Sequence, residues 1–157
     1  MKRLLAILSL ALLMGAPVLA QSVQPREGWR VIPTAMSYAD LLDRTRAAIK
    51  AEKMGLVTQA GPTEMAKKRG ETIPGNRVLG VFRNDFAVRA IRASVAAMIE
   101  APIRLYVTEN PDGTATLSWK TPSFVFSPYM DEGGEALAAV AAELDPIFEA
   151  IARRATQ

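Results

Sequence analysis

After Trp29 the chain switches repeatedly between two hydrophobic periods, and the switches define its elements. Tyr38, Leu41, Leu42, Thr45, Ala48 and Ile49 recur every three or four residues, the spacing of one helix face. Ser37 precedes them as an N-cap, and Asp40 three residues on makes a variant of the capping box. Gly55 is the expected stop of this helix. Before it, Trp29 to Pro33 reads as a short strand, with Pro33 marking its end or an edge position. After it, Leu56 to Ala60 returns as a strand, Pro62 to Arg69 as a short basic helix closed by Gly70, and Arg77 to Phe82 as a third strand. Gly80 inside that strand signals a bulge or the close approach of another backbone.

A helix starting at Asn84 is expected to break near Ser94, a natural second N-cap, and to end before Pro102. Period two then takes over. Ile103, Leu105 and Val107 point one way and Arg104, Tyr106 and Thr108 the other. Asn110-Pro111-Asp112-Gly113 has the composition of a hairpin turn, and Ala115, Leu117 and Trp119 resume the core face beyond it. Leu137, Val140, Ala141, Leu144, Ile147, Phe148 and Ile151 form a last apolar stripe, suited to covering one face of a sheet; an exposed partner-binding helix is the alternative. Pro146 inside the stripe predicts a kink or a restart there, capped by Asp145. The order β-α-β-α-β-α-β-β-α, with helices on one side of a largely antiparallel sheet, is an α+β domain over residues 29–155.

The first twenty residues follow a different rule. Lys2 and Arg3 precede an apolar run from Leu4 to Met14, and Gly15-Ala16-Pro17 breaks it before Val18-Leu19-Ala20. This is the layout of a secretory signal cleaved after Ala20, and the run is short for a membrane span. Residues 21–28 then read as a flexible leader. The expected destination is the periplasm or the medium.

Cleavage changes the charge. The full chain carries 19 basic and 16 acidic side chains; losing Lys2 and Arg3 leaves it close to neutral. No block of like charge remains to suggest a nucleic acid or an anionic membrane as partner. The chain has no His and no Cys. That removes thiol and Ser-His-Asp chemistry and His- or Cys-held metals, and neither cofactor nor metal is expected. Asp131, Glu132 and Glu135 form the tightest acidic group, and it opens the last helix, where negative charge offsets the helix dipole.

Several landmarks resemble the bacterial domain-of-unknown-function family 302. They are Pro74, Val78-Leu79-Gly80 with Asn84 after it, Phe86-Ala87, Pro102 before Ile103 to Val107, Asp112-Gly113 and Pro122. The resemblance runs from Ser37 to about Tyr129. It implies a TATA-binding-protein-like α+β architecture and, by that analogy, a homo-oligomer; it implies no activity. Two departures stand out: Asp85 occupies a place where the family usually has Pro, and the family's frequent Cys residues are absent.

Three places remain as candidate ligand sites. Arg83-Asn84-Asp85, with Arg89 one helical turn on, combines a helix start with two cations, which suits an anion; Asn84 is also a preferred N-cap that needs no ligand. Thr121 to Met130 concentrates Phe124, Phe126 and Tyr129 between two prolines. As a loop or short edge strand it would rim an apolar pocket, meet another subunit or close the end of the core. Tyr106 and Trp119, on paired strands, are the third. The leading expectation is a periplasmic binding module for a small apolar or amphipathic ligand. A structural or oligomerisation protein without ligand is the alternative, and a carboxylate- or lysine-based hydrolase comes last because no polar groups converge by spacing.

The mature protein is expected to begin at Gln21. Intact-mass measurement of exported protein checks this, and a mass retaining residues 1–20 refutes it.

Overall fold

The computed structural model describes residues 22–157, so the expected signal segment and its expected cleavage after Ala20 lie outside the described residues. Five antiparallel strands make one sheet in the order β1-β5-β4-β3-β2. These are β1 (Trp29–Ser37), β2 (Gly55–Ala60), β3 (Asn76–Phe82), β4 (Ile103–Glu109) and β5 (Thr114–Lys120). Helices α1 (Tyr38–Ala51) and α3 (Asn84–Ala93) lie on one face, with α5 (Met130–Thr156) between them and touching both. The α+β expectation and the element order hold, with additions after β5.

Burial follows the predicted faces. Leu41, Leu42, Thr45, Ala48 and Ile49 of α1 are buried, as are Leu137, Val140, Ala141, Leu144, Phe148 and Ile151 of α5. They meet Leu105 and Val107 of β4 and Leu117 and Trp119 of β5 in a single core. Ser37 caps α1 as expected: its Oγ accepts from the Asp40 N–H at 3.2 Å and donates to the Asp40 carboxylate at 2.7 Å. Asn110 to Gly113 turns β4 into β5, with Gly113 at φ 81. Gly80 answers to the bulge reading, and what approaches it closely is side chain, not the expected backbone. β2 bulges between Leu56 and Thr58 beside it, and a Cβ on Gly80 would overlap Thr58 Oγ1 and stand 2.7 Å from Pro102 Cγ. Pro33 lies on an edge strand, where its missing N–H costs no ladder bond. The strand nevertheless continues past it, irregularly, to Ser37.

Four local expectations need correction. The left-handed residue ending α1 is Lys53 (φ 56), not Gly55. Lys53 N–H bonds the Lys50 carbonyl and Met54 N–H the Ile49 carbonyl, both at 3.0 Å, which is a Schellman termination with Met54 buried behind it. The helix thus ends at Ala51, and its left-handed exit at Lys53 comes two residues before the glycine. Thr121 to Met130 is neither loop nor edge strand. It holds helix α4 (Pro122–Phe126) and a 3₁₀ turn, Ser127–Tyr129, with Thr121 Oγ1 accepting from Phe124 N–H and Pro122 in the first turn.

Pro146 does not break α5; the one non-helical residue inside it is Gly134 (φ 51, ψ −146). Pro146 and Ala142, the residue whose carbonyl loses its helical donor, are both exposed, so that carbonyl faces solvent. Asp145, expected to cap a restarted helix, instead accepts from the Ser123 N–H at 3.0 Å and pins the start of α4. The fourth correction, at Asn84, belongs to the candidate site.

Lys53 holds a backbone conformation that disfavours a side chain, so Lys53→Gly is expected to stabilise the protein by about 0.5–1 kcal/mol. Urea denaturation measures it, and an unchanged or lower midpoint would contradict the assignment of the helix stop.

Candidate functional site

The turn that starts α3 is the first candidate, and its charged side chains are already paired within the protein. Arg83 occupies the N-cap position in extended conformation, and no side chain makes a capping bond there. Asn84 is the first helical residue and is exposed, so it does not cap; Asp85 comes next and takes the local electrostatic role. Arg83 grips the Asp85 carboxylate with two bonds, Nε to Oδ1 at 2.8 Å and Nη2 to Oδ2 at 3.1 Å. Arg83's hydrogen bond holds the Asp85 carboxyl below its usual range, opposed by slight burial and helped by Arg83's charge and nearby backbone N–H groups.

Arg89 is equally occupied. Its Nη1 and Nη2 donate to both oxygens of Glu143 on α5 at 2.8 and 2.6 Å. That hydrogen bond lowers the Glu143 pKa, with burial opposing and the charges of Arg89 and Arg83 adding. Both guanidinium groups also stand over the Phe86 ring, 4.2 and 5.7 Å from its centroid. Two cations and two carboxylates thus satisfy one another above a buried aromatic, and the α3–α5 junction is tied rather than open.

A small, partly open apolar pocket lies beside this latch, between the sheet and α5. Phe86, Phe126, Val140 and Phe148 are among its walls, but its volume is about 30 Å3. That is room for roughly one or two waters, not for a ligand. Phe126 is buried there and Phe124 is partly exposed on the other side of α4, against Gly28. The aromatic segment therefore closes the end of the core, and Phe124 and Phe126 do not share a site.

The second candidate lies on the sheet face opposite the helices. Strand pairing sets Val31, Ser118, Tyr106 and Val78 in one row across β1, β5, β4 and β3. The next row holds Trp29 beside Lys120 and Arg104 beside Gly80. Ser118, between Val31 and Tyr106, is fully buried. Beside this row a cleft of about 310 Å3 opens, and its walls include Trp29, Val78, Arg104, Tyr106, Lys120 and Glu100. The Lys120 ammonium lies 5.9 Å from the Trp29 ring centroid and Arg26 lies 5.0 Å from it. Glu100 at the rim accepts from the Tyr129 hydroxyl at 2.9 Å and stands 3.6 Å from Arg104. Burial raises the Tyr106 pKa, with Tyr38 adding to the shift, so its hydroxyl stays a donor across neutral pH. The Ser118 and Thr108 hydroxyls on this face are buried and have no protein partner.

The structure thus divides the six residues singled out by sequence. Arg83, Asn84 and Arg89 lie at the latch, Phe124 and Phe126 at the core's end, and Tyr106 alone in the cleft. Trp29, Arg104 and Lys120 were missed as site residues; alternation placed Arg104 with Tyr106, but only strand order brings Trp29 and Lys120 alongside. Among the described residues no three His, Cys, Asp or Glu side chains gather as a metal site.

A family model, the domain of unknown function DUF302, matches residues 31–151. A solved structure, that of an uncharacterised conserved DUF302 protein from Bacillus stearothermophilus, superposes with a TM-score of 0.71 at 18% identity, over 83% of this chain and 99% of that one. No curated protein matches the chain.

The latch predicts a pH signature. A carboxylate whose folded pKa is lowered contributes stability above its ordinary pKa and loses that contribution as pH falls through the lowered value. Glu143→Gln should therefore lower the melting temperature at neutral pH, and the gap to the parent should close below the carboxylate range. Asn84→Ala, which removes no capping bond, should change stability by less than about 0.5 kcal/mol. A pH-independent gap for Glu143→Gln, or a cap-sized loss for Asn84→Ala, would overturn this account.

Proposed function

The chain belongs to the DUF302 family, and because that family carries no assigned activity, we propose from its geometry that it is an exported binding module for a small amphipathic ligand. The observation that carries the proposal is the cleft opposite the helices. Its volume of about 310 Å3 falls at the lower end of the range that small-molecule sites occupy. Trp29, Tyr106 and Val78 supply apolar and aromatic wall, and Arg104, Lys120 and Glu100 supply polar groups at one end. That division between apolar body and polar end is what an amphipathic molecule matches. Tyr106 adds a hydroxyl donor at the floor. The cavity beneath α5, ten times smaller, has no such capacity.

A second reading, a structural or oligomerising protein without ligand, rests on a different surface. Val95, just before the 3₁₀ turn Ala96–Glu100, and Ile99 within it are 76% and 79% exposed, and Ile91 on α3 is 44% exposed. Apolar side chains that open to water at neighbouring positions suit a subunit contact.

Native mass spectrometry of the protein taken from the compartment it is exported to separates the two. The binding reading expects extra mass of a small molecule on the parent and its loss, by about tenfold or more in occupancy, from Tyr106→Ala, since a ring of this size contributes over 1.4 kcal/mol. A ligand-free parent that runs as an oligomer, dispersed by Val95→Asp with Ile99→Asp, would favour the second reading and remove the first.

A further inference from the structure

We infer that the ligand of the cleft is an anion, an aromatic or otherwise planar apolar body bearing one acidic group that seats between Lys120 and Arg104. This rests on the binding reading above and adds the charge and shape of what is bound. The cations around the cleft outnumber the carboxylates: Arg26 and Lys120 flank Trp29, Arg104 stands in the adjoining strand, and Glu100 is the one carboxylate in the walls. Glu100 is already engaged, since it takes the Tyr129 hydroxyl at 2.9 Å.

The cations keep their donors free. Arg104 makes no hydrogen bond among the described residues, its nearest carboxylate oxygen being 3.6 Å away, beyond hydrogen-bond reach. Lys120 has no carboxylate within ion-pair distance among the described residues, and its ammonium group lies 5.9 Å from the Trp29 ring centroid. The contrast with the α3–α5 latch is direct. There, each arginine has both ends of a carboxylate at 2.6–3.1 Å. In the cleft Arg104 has only a long contact, 3.6 Å, to one Glu100 oxygen, and Lys120 has no carboxylate at ion-pair distance among the described residues; strand pairing holds Lys120 beside Trp29 and Arg104 beside Gly80. An acidic head supplies the missing acceptor. The planar body follows from the walls, since Trp29 and Tyr106 offer ring surface and Val78 a flat aliphatic floor.

The test uses two dyes of one aromatic body, 8-anilinonaphthalene-1-sulfonate and its uncharged counterpart N-phenyl-1-naphthylamine, titrated by fluorescence into folded protein. The sulfonate should bind about tenfold more tightly or better, the effect of one charge-assisted hydrogen bond, and the advantage should shrink in high salt. Arg104→Gln with Lys120→Gln should erase that preference while leaving the neutral dye's affinity within about twofold, and Lys120→Arg should retain it. Trp29→Ala and Tyr106→Ala should weaken both dyes. A preference unchanged by the double variant overturns the anionic head and leaves the cleft standing, provided that the aromatic variants still weaken both dyes. If the aromatic variants weaken neither dye, or neither dye binds the parent, the cleft reading falls and the anionic ligand with it. Melting curves of each variant confirm that the comparison is made on folded protein.

Discussion

Everything in this fold depends on the apolar stripe of α5 lying in the groove between α1 and α3. Leu137, Val140, Leu144, Phe148 and Ile151 sit about one turn apart, and each is at most 4% exposed. Burying such a side chain contributes about 1.5–3 kcal/mol, so the stripe as a whole outweighs any hydrogen bond or ion pair in the molecule. A helix long enough to carry it must also be anchored along its length. Arg30 of β1 reaches Glu149, Arg89 of α3 reaches Glu143, and Arg44 of α1 donates to the Ala155 carbonyl. These exposed pairs add little energy each; they set the rotation and register in which the stripe faces the sheet.

Placing every long helix on one face decides what the other face can do. Strand alternation sends Leu105, Val107, Leu117 and Trp119 into the core and leaves Tyr106, Arg104, Ser118 and Lys120 pointing away from it. On the core side the pocket beside α5 holds only about 30 Å3. The far side has no comparable layer of long helices, and there a cleft walled by Trp29, Val78, Arg104, Tyr106 and Lys120 stays open. The cleft is thus a by-product of one-sided packing. Its chemistry comes from which polar side chains the same alternation leaves there.

The sequence determined the parts of the fold that are decided within a few residues. Ser37 with Asp40, the Asn110–Gly113 turn and the period-two run from Ile103 to Thr108 each carry their signal locally, and each appears in place. Thr121-Pro122 carried an equally local signal for a helix start, obscured by the aromatics after it. At Asn84 and Gly55 the right residue types stood one or two positions from where the backbone needed them. A preference worth about 1 kcal/mol yields to the burial of Phe86 and Met54 beside them.

What only tertiary structure decided involves partners far apart in the chain. Glu143 takes Arg89 across 54 residues, and Asp145 leaves its own helix to hold Ser123, 22 residues earlier. Neither pairing has a spacing that a periodic pattern encodes, and both depend on where α5 settles. The cleft needs Trp29, Lys120 and Tyr106 from three strands whose order is β1-β5-β4. Alternation along each strand says which face a side chain takes. It does not say which strand lies alongside, because that is fixed by closing long loops around the α5 stripe.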